Sequence, residues 1–138
     1  MSAMQYYVGS WSCVAHLQSV PTLKYTAVNR IDSGILREWV TIPAQSGMPS
    51  PEGFSMVMSY NPEKRQFVQS QVHFDGMWSV SVAKPWNGNT ERWTDVATDS
   101  GKFGHAEYVR IGRNAFSFTA YPHWSTASPI NGMCNRTT

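Results

Sequence analysis

Residues 66–84 read QFVQSQVHFDGMWSVSVAK. Two runs of alternating character flank Asp75-Gly76, a dipeptide that is typical of tight turns in β-hairpins. If that turn contains two residues, His73 pairs with Trp78 and the two side chains share a face of the hairpin. The segment therefore predicts two antiparallel strands whose faces can be assigned from the sequence.

The same alternation continues along most of the chain, with turn residues between the segments. Consecutive hairpins of this kind predict a meander, and a long meander closes most simply as an up-and-down barrel. The predicted strands lie near 6–17, 22–32, 35–43, 54–60, 66–74, 77–84, 91–98, 103–112 and 115–121. We therefore predict an all-β fold in which residues 1–138 form a single antiparallel up-and-down β-barrel domain, lipocalin-like, of eight to ten strands.

The composition narrows the class of partner. The chain has 138 residues, with 11 Lys and Arg against 9 Asp and Glu, and a formal net charge of +2. The basic residues are scattered, and only Lys64 and Arg65 adjoin, so the stripe that nucleic-acid binding needs is absent. There is neither a basic amphipathic helix nor an apolar run of about 18 residues, so membrane insertion is not expected. A small molecule or a protein remains as the expected partner, and the sequence does not indicate the oligomeric state.

A candidate ligand pocket follows from the assigned faces. The strand at 54–60 places Met and aromatic residues on one face, and a turn at Asn61-Pro62 that sets Tyr60 opposite Phe67 would join this face to that of His73. Thioethers, large rings and a few polar groups are typical of a small-molecule pocket. The alternative is that the methionines fill gaps in a core and that His73 faces solvent. The predicted ligand-binding residues are Phe54, Met56, Met58, Tyr60, Gln71, His73, Trp78, Lys84, Trp93 and Phe118.

Charged residues within strands are a further indication, because an inward-facing charge must be paired or must meet a ligand. By alternation Lys84 follows the face of His73 and would lie at a barrel end, where it could receive a ligand carboxylate or extend into solvent. The charged residues within predicted strands are Arg37, Glu38, Lys84, Glu91, Arg92 and Asp95.

Catalytic candidates are few. His73 is the first, since an imidazole on an aromatic face can act as a general base or as a hydrogen-bonding group. His105 and Glu107 are two residues apart on one strand, so they form either an acid/base pair at the barrel mouth or an exposed pair on the solvent face. The sequence lacks a G-x-S-x-G nucleophile motif and a phosphate-binding glycine loop. The four histidines have no local metal-ligand spacing, so no metal is expected.

Cys13 and Cys134 fit no metal-binding pattern, so they form either a disulfide or two buried thiols. A bond would close a loop of about 120 residues, worth about 4.8 kcal/mol in the chain-entropy model. We predict the disulfide, which requires an oxidising compartment. The stretch from Met1 to Gln5 lacks the apolar region of a signal peptide. We expect a secreted or periplasmic protein whose native leader is absent from this sequence, with a cytoplasmic protein as the alternative.

Several motifs together resemble a family, the small bacterial lipocalin-like proteins of largely unassigned function. The motifs are GSWSC at 9–13, SYNP at 59–62, WNGN at 86–89 and the near-terminal Cys134. The resemblance covers nearly the whole chain and implies an up-and-down β-barrel with a cavity, usually secreted. It implies no reaction, because a fold does not fix a function.

No cofactor is expected. Haem-binding barrels related to nitrobindin open with a longer G-x-W-x-G-x-G motif, and here Cys13 and Ala15 occupy the positions of its glycines. The leading hypothesis is therefore a protein that binds a small apolar or aromatic molecule inside the barrel. An alternative is a cofactor-free isomerase, cyclase or hydrolase that uses a His/carboxylate pair in the same cavity. A third is an interaction module whose barrel is filled by its own side chains.

Overall fold

The computed structural model describes residues 3–18, 20–125 and 128–137. A short 3₁₀ helix at Ala3–Tyr7 precedes ten antiparallel strands that close into a barrel. The strands are β1 Gly9–His16, β2 Leu23–Asp32, β3 Ile35–Ile42, β4 Glu52–Asn61, β5 Gln66–His73, β6 Trp78–Ala83, β7 Thr90–Thr98, β8 His105–Arg110, β9 Ala115–Tyr121 and β10 Ile130–Arg136. Within the described ranges, no helix is long and apolar enough to span a membrane.

The connectivity confirms the predicted fold class. Each strand pairs with its neighbours along the chain, and β10 returns to pair with β1. The nine predicted strands correspond to β1–β9, whereas β10 was missed because Ile130–Arg136 lacks clear apolar alternation. Pairing with β1 on one side and β9 on the other makes this segment a strand. Tyr6 and Tyr7, predicted to begin the first strand, belong to the 3₁₀ helix instead.

The disulfide prediction is confirmed. Cys13 of β1 and Cys134 of β10 are direct cross-strand partners, and their sulfurs are bonded. Both residues are buried on the inner face of the barrel. The bond therefore joins the first strand to the last at the line where the sheet closes on itself.

The predicted register of the β5–β6 hairpin is wrong by one residue. The turn contains three residues, because the amides of His73 and Gly76 donate to the carbonyls of Met77 and His73, respectively. Gly76 adopts a φ of +89, which glycine reaches without steric cost, and this conformation allows the turn to contain three residues. Trp78 consequently pairs with Val72 rather than His73, and every β6 side chain is on the face opposite to the predicted one.

The 3₁₀ helix closes one end of the barrel. The Trp11 indole donates to the Tyr7 carbonyl over 2.9 Å, and both rings pack against Phe116. The Arg136 guanidinium lies 4.3 Å from the centroid of the Trp11 ring and donates to backbone carbonyls of Tyr6 and Val8. Since these contacts join the helix to β1, β9 and β10, the mouth of the barrel lies at the opposite end.

We expect the double variant Cys13→Ser/Cys134→Ser to fold less stably than the oxidised protein. The bond closes a sequence separation of 121 residues, which corresponds to a loss of about 5 kcal/mol in unfolding free energy. Denaturant unfolding measures this difference. Thiol titration of the unfolded, unreduced protein should find no free thiol, and detection of two would contradict the assignment.

Candidate functional site

The barrel encloses a cavity of about 500 Å³. Every strand contributes to its wall, since alternate residues of each strand face inward. Much of the wall is apolar and includes Val40, Met56, Met58, Trp93 and Phe118. Polar groups line both the deep wall, as Glu38 and Gln69 do, and the mouth, where they can orient a bound molecule.

Most of the predicted ligand-binding residues lie where the sequence placed them. The inward face of β4 joins that of β5, because Phe54 is opposite His73 and Met56 is opposite Gln71. Their binding role remains a prediction. The predicted residues that line the cavity are Phe54, Met56, Met58, Gln71, His73, Trp93 and Phe118.

The other three predicted ligand-binding residues do not line the cavity. Trp78 is on the outer face of β6 and 39% exposed, and Lys84 is exposed just beyond the end of that strand. Both errors follow from the hairpin register, and Lys84 therefore cannot receive a ligand carboxylate inside the barrel. Tyr60 has the predicted register opposite Phe67, but it lies near the strand end away from the mouth and is 40% exposed.

The second catalytic candidate, the pair His105 and Glu107, is on the outer face of β8. Both side chains are exposed, and the His105 ring stacks on Tyr121 with centroids 4.5 Å apart. His105 reaches the rim of the cavity mouth, whereas Glu107 does not line it. Of the two alternatives, the structure shows the exposed pair on the solvent face and not an acid/base pair inside the mouth, because strand alternation turns both side chains toward solvent.

His73 lies at the mouth and faces the cavity. The Gln71 amide and His73 Nε2 are hydrogen-bonded over 2.9 Å, and the imidazole packs beside the Phe54 and Trp124 rings. Burial lowers the pKa of His73 below its usual value, although the nearby Asp75 opposes this effect. The imidazole is therefore neutral at pH 7 and available for hydrogen bonding.

A second polar cluster at the mouth was not assigned from sequence. The Asp95 carboxylate accepts hydrogen bonds from the Ser81 hydroxyl at 2.6 Å and the Gly104 amide at 2.7 Å. The buried His123 lies between Asp95, at 3.8 Å, and Asp99, at 3.0 Å. Ser81 contacts the carboxylate and not the imidazole, so this cluster lacks the nucleophile and base contact of a serine hydrolase. Its contacts instead hold the loop after β9 against β7.

Gly104 allows this close approach. A Cβ at Gly104 would lie 2.1 Å from the Tyr121 carbonyl oxygen and 2.8 Å from the His123 backbone nitrogen. Because both atoms belong to the backbone, a larger residue would displace the segment that carries His123. The glycine is thus required for the geometry of the mouth.

Glu38 is an acidic side chain in the middle of β3 that faces the cavity. It lies on the inward face of β3 directly opposite Asn29 of β2 and receives a hydrogen bond from the Asn29 side chain. Burial raises the pKa of the Glu38 carboxyl to about 7, and the Asn29 hydrogen bond only partly offsets this. The phenols of Tyr25 and Tyr108 lie within its electrostatic reach, and burial is the main cause of their raised pKa values.

Glu91 shows how a buried carboxylate is accommodated when its partners are present. Its Oε1 accepts hydrogen bonds from the Tyr7 hydroxyl at 2.7 Å and the Trp93 indole at 2.8 Å. Burial still raises the Glu91 pKa, but these hydrogen bonds favour the ionised form. Glu91 is therefore hydrogen-bonded within the closed end of the barrel, whereas Glu38 faces the cavity.

Of the charged strand residues noted in the sequence, Glu38, Glu91 and Asp95 face inward. Arg37, Arg92 and Lys84 are exposed. Leu36, Glu38 and Val40 alternate along β3 and therefore share a face. Because Leu36 and Val40 are apolar and buried, this alternation in the sequence indicates that Glu38 also faces inward. In the described part of the chain, no group of three or more His, Cys, Asp or Glu is placed to hold a metal ion.

Comparison with known proteins supports the architecture alone. No protein-family model matches the chain, and no curated protein matches it. Among solved structures, the chain is similar to a redesigned β-barrel, with a TM-score of 0.55 and 13% sequence identity over 99% of this chain and 96% of that chain. At that identity the similarity shows a closed β-barrel and carries no information on function.

We expect Glu38 to make the stability of the unliganded protein pH-dependent. Its folded pKa of about 7 exceeds the value of 4.5 that is usual for an exposed Glu, so its protonation stabilises the fold below pH 4.5 and this contribution is lost as pH rises through 7. Wild type should lose about 3 kcal/mol more than Glu38→Gln between pH 4 and pH 8.

Denaturant unfolding across this pH range measures the difference. Glu63→Gln, which changes an exposed turn residue, is the matched control and should retain the wild-type profile. Parallel profiles for wild type and Glu38→Gln would show that Glu38 does not titrate in this way.

Proposed function

We propose that the protein binds a small apolar or aromatic molecule inside the barrel. The single observation that carries this proposal is the cavity of about 500 Å³, which lies within the range of typical small-molecule sites. Methionine and aromatic side chains on its wall would pack against an apolar body, and His73, Gln71 and Glu38 offer polar contacts. A barrel that served only as an interaction module would have no need of this internal space.

The proposal also includes a protein family and a cellular location. The GSWSC and SYNP motifs support a relationship to small bacterial lipocalin-like proteins, and the closed barrel is consistent with it. The Cys13–Cys134 bond supports a secreted or periplasmic location, because disulfides persist in oxidising compartments. A reducing cytoplasm would be a less suitable environment for it.

The test uses N-phenyl-1-naphthylamine, a neutral probe whose fluorescence rises in apolar surroundings. We expect saturable binding by wild type and strongly weakened binding by Ala106→Trp, since Ala106 lines the cavity and an indole there would occupy ligand space. Thr94→Trp adds the same ring to an exposed position of β7 and is the control. Equal binding by both variants, or no saturable binding by wild type, would contradict the proposal.

Catalysis in the same cavity is the second candidate, favoured by the Glu38 carboxyl with a pKa of about 7. A carboxyl with a pKa near the working pH can give or take a proton, as a cofactor-free isomerase, cyclase or hydrolase requires. The carboxylate of this candidate is Glu38, because Glu107 faces solvent and His73 is bonded to Gln71 rather than to an acid.

A simple proton-abstraction reaction tests this role. In 5-nitrobenzisoxazole, removal of the C3 proton breaks the N–O bond and releases a coloured cyanophenolate, so the rate reports a carboxylate base directly. At pH 8 we expect Glu38→Gln to react about 10²-fold more slowly than wild type, while Glu63→Gln keeps the wild-type rate. A rate unchanged in Glu38→Gln would exclude Glu38 as a base in the cavity.

A further inference from the structure

The cavity wall is acidic although the chain as a whole is basic. The sequence has 11 Lys and Arg against 9 Asp and Glu. Among the described residues that line the cavity there are four carboxyl groups and no Lys or Arg. The four are Glu38, Glu52, Asp75 and Asp95. The cavity therefore favours a cation over an anion, although the net charge of the chain is positive.

Glu38 is the deep member of this set and has no cationic partner. In residues 3–18, 20–125 and 128–137, the ion-pair contacts found involve His123, Asp95 and Asp99 at the mouth. The side-chain hydrogen bond to Glu38 comes from the neutral amide of Asn29. An ionised carboxylate in an apolar wall without a counter-charge is costly, so a bound cation would compensate it.

Asn29 supplies an independent observation. It is only 2% exposed and lines the cavity, and its Oδ1 atom has no hydrogen-bond partner. Buried acceptors without partners are rare in folded proteins and commonly mark a site that something else completes. The carboxylate and this amide oxygen are both acceptors, on residues directly opposite each other in β2 and β3. A hydrogen-bond donor is the kind of group that would satisfy two such acceptors.

We infer that the ligand carries a basic nitrogen whose protonated form pairs with the Glu38 carboxylate, so that the cavity selects cationic amines with an apolar or aromatic body. This inference rests on the proposed binding function and specifies the ligand class. The body would pack on Met56 and Phe54 of the neighbouring β4, where Met56 is the direct partner of Glu38 and Phe54 lies nearer the mouth. The charge end would thus lie deep in the barrel, beside the rings of Tyr25 and Tyr108, and the apolar end would extend toward the mouth.

The experiment compares three molecules that share an indole ring and differ in charge. Tryptamine is the cation, 3-propylindole is the neutral isostere and indole-3-propionate is the anion. Titration calorimetry on the wild-type protein at pH 8 should show tryptamine binding at least about tenfold more tightly than 3-propylindole, with the anion weakest. Tryptamine that bound no better than the neutral isostere, or did not bind, would overturn the inference without any variant.

Glu38→Gln assigns the preference to one residue. We expect it to weaken tryptamine binding about tenfold and to leave 3-propylindole binding within about twofold of wild type. Glu63→Gln removes one negative charge from an exposed turn and should keep the full preference. A preference that survives in Glu38→Gln would overturn the assignment. Binding of N-phenyl-1-naphthylamine by Glu38→Gln shows that the variant is folded with an open cavity.

The outcomes separate this inference from the proposed function. If wild type binds N-phenyl-1-naphthylamine but shows no preference for the amine, the binding function stands and the ligand class is wrong. If wild type binds neither that probe nor any of the three indoles, the proposed function fails and the inference fails with it.

Discussion

The structure depends on the closure of one antiparallel sheet, made by the pairing of β10 with β1. With that pairing in place, each of the ten strands has a hydrogen-bonded neighbour on both sides, so the sheet has no free edge strand. The bond between Cys13 and Cys134 joins the two strands that are farthest apart in the sequence. Closure also fixes an inside and an outside, so that each alternate residue must face either the cavity or solvent.

A ring of ten strands encloses more space than its inward side chains fill. Two acidic side chains, Glu91 at the closed end and Glu38 in the cavity wall, face this interior. At the closed end, Glu91 has two side-chain donors, Tyr7 and Trp93, and belongs to a complete network. Glu38 has a neutral amide beside it, and because burial raises its pKa to about 7, the carboxyl is about half protonated near neutral pH. The difference between the two acids is a difference in partners, since both are held by the same sheet and both are surrounded by aromatic side chains.

The hairpin from β5 to β6 shows how far local sequence can be used. The turn position and the two strands were predictable from Asp75-Gly76 and the flanking alternation. The turn length was not, because a glycine at positive φ suits both a two-residue turn and the three-residue turn found here. One additional residue in the turn places Trp78 outside the barrel, although all the strand boundaries around it are close to those predicted.

The sequence by itself determined the all-β class, the meander and most of the inward face of β4 and β5, because strand alternation and turn chemistry are local properties. It also limited Cys13 and Cys134 to two outcomes, a disulfide or two buried thiols. Only the tertiary structure decided that Cys13 lies opposite Cys134 and that Glu38 faces a cavity opposite Asn29. The physical reason is that both the pairing of distant strands and the burial of a charge depend on closure of the whole sheet, which no local segment specifies.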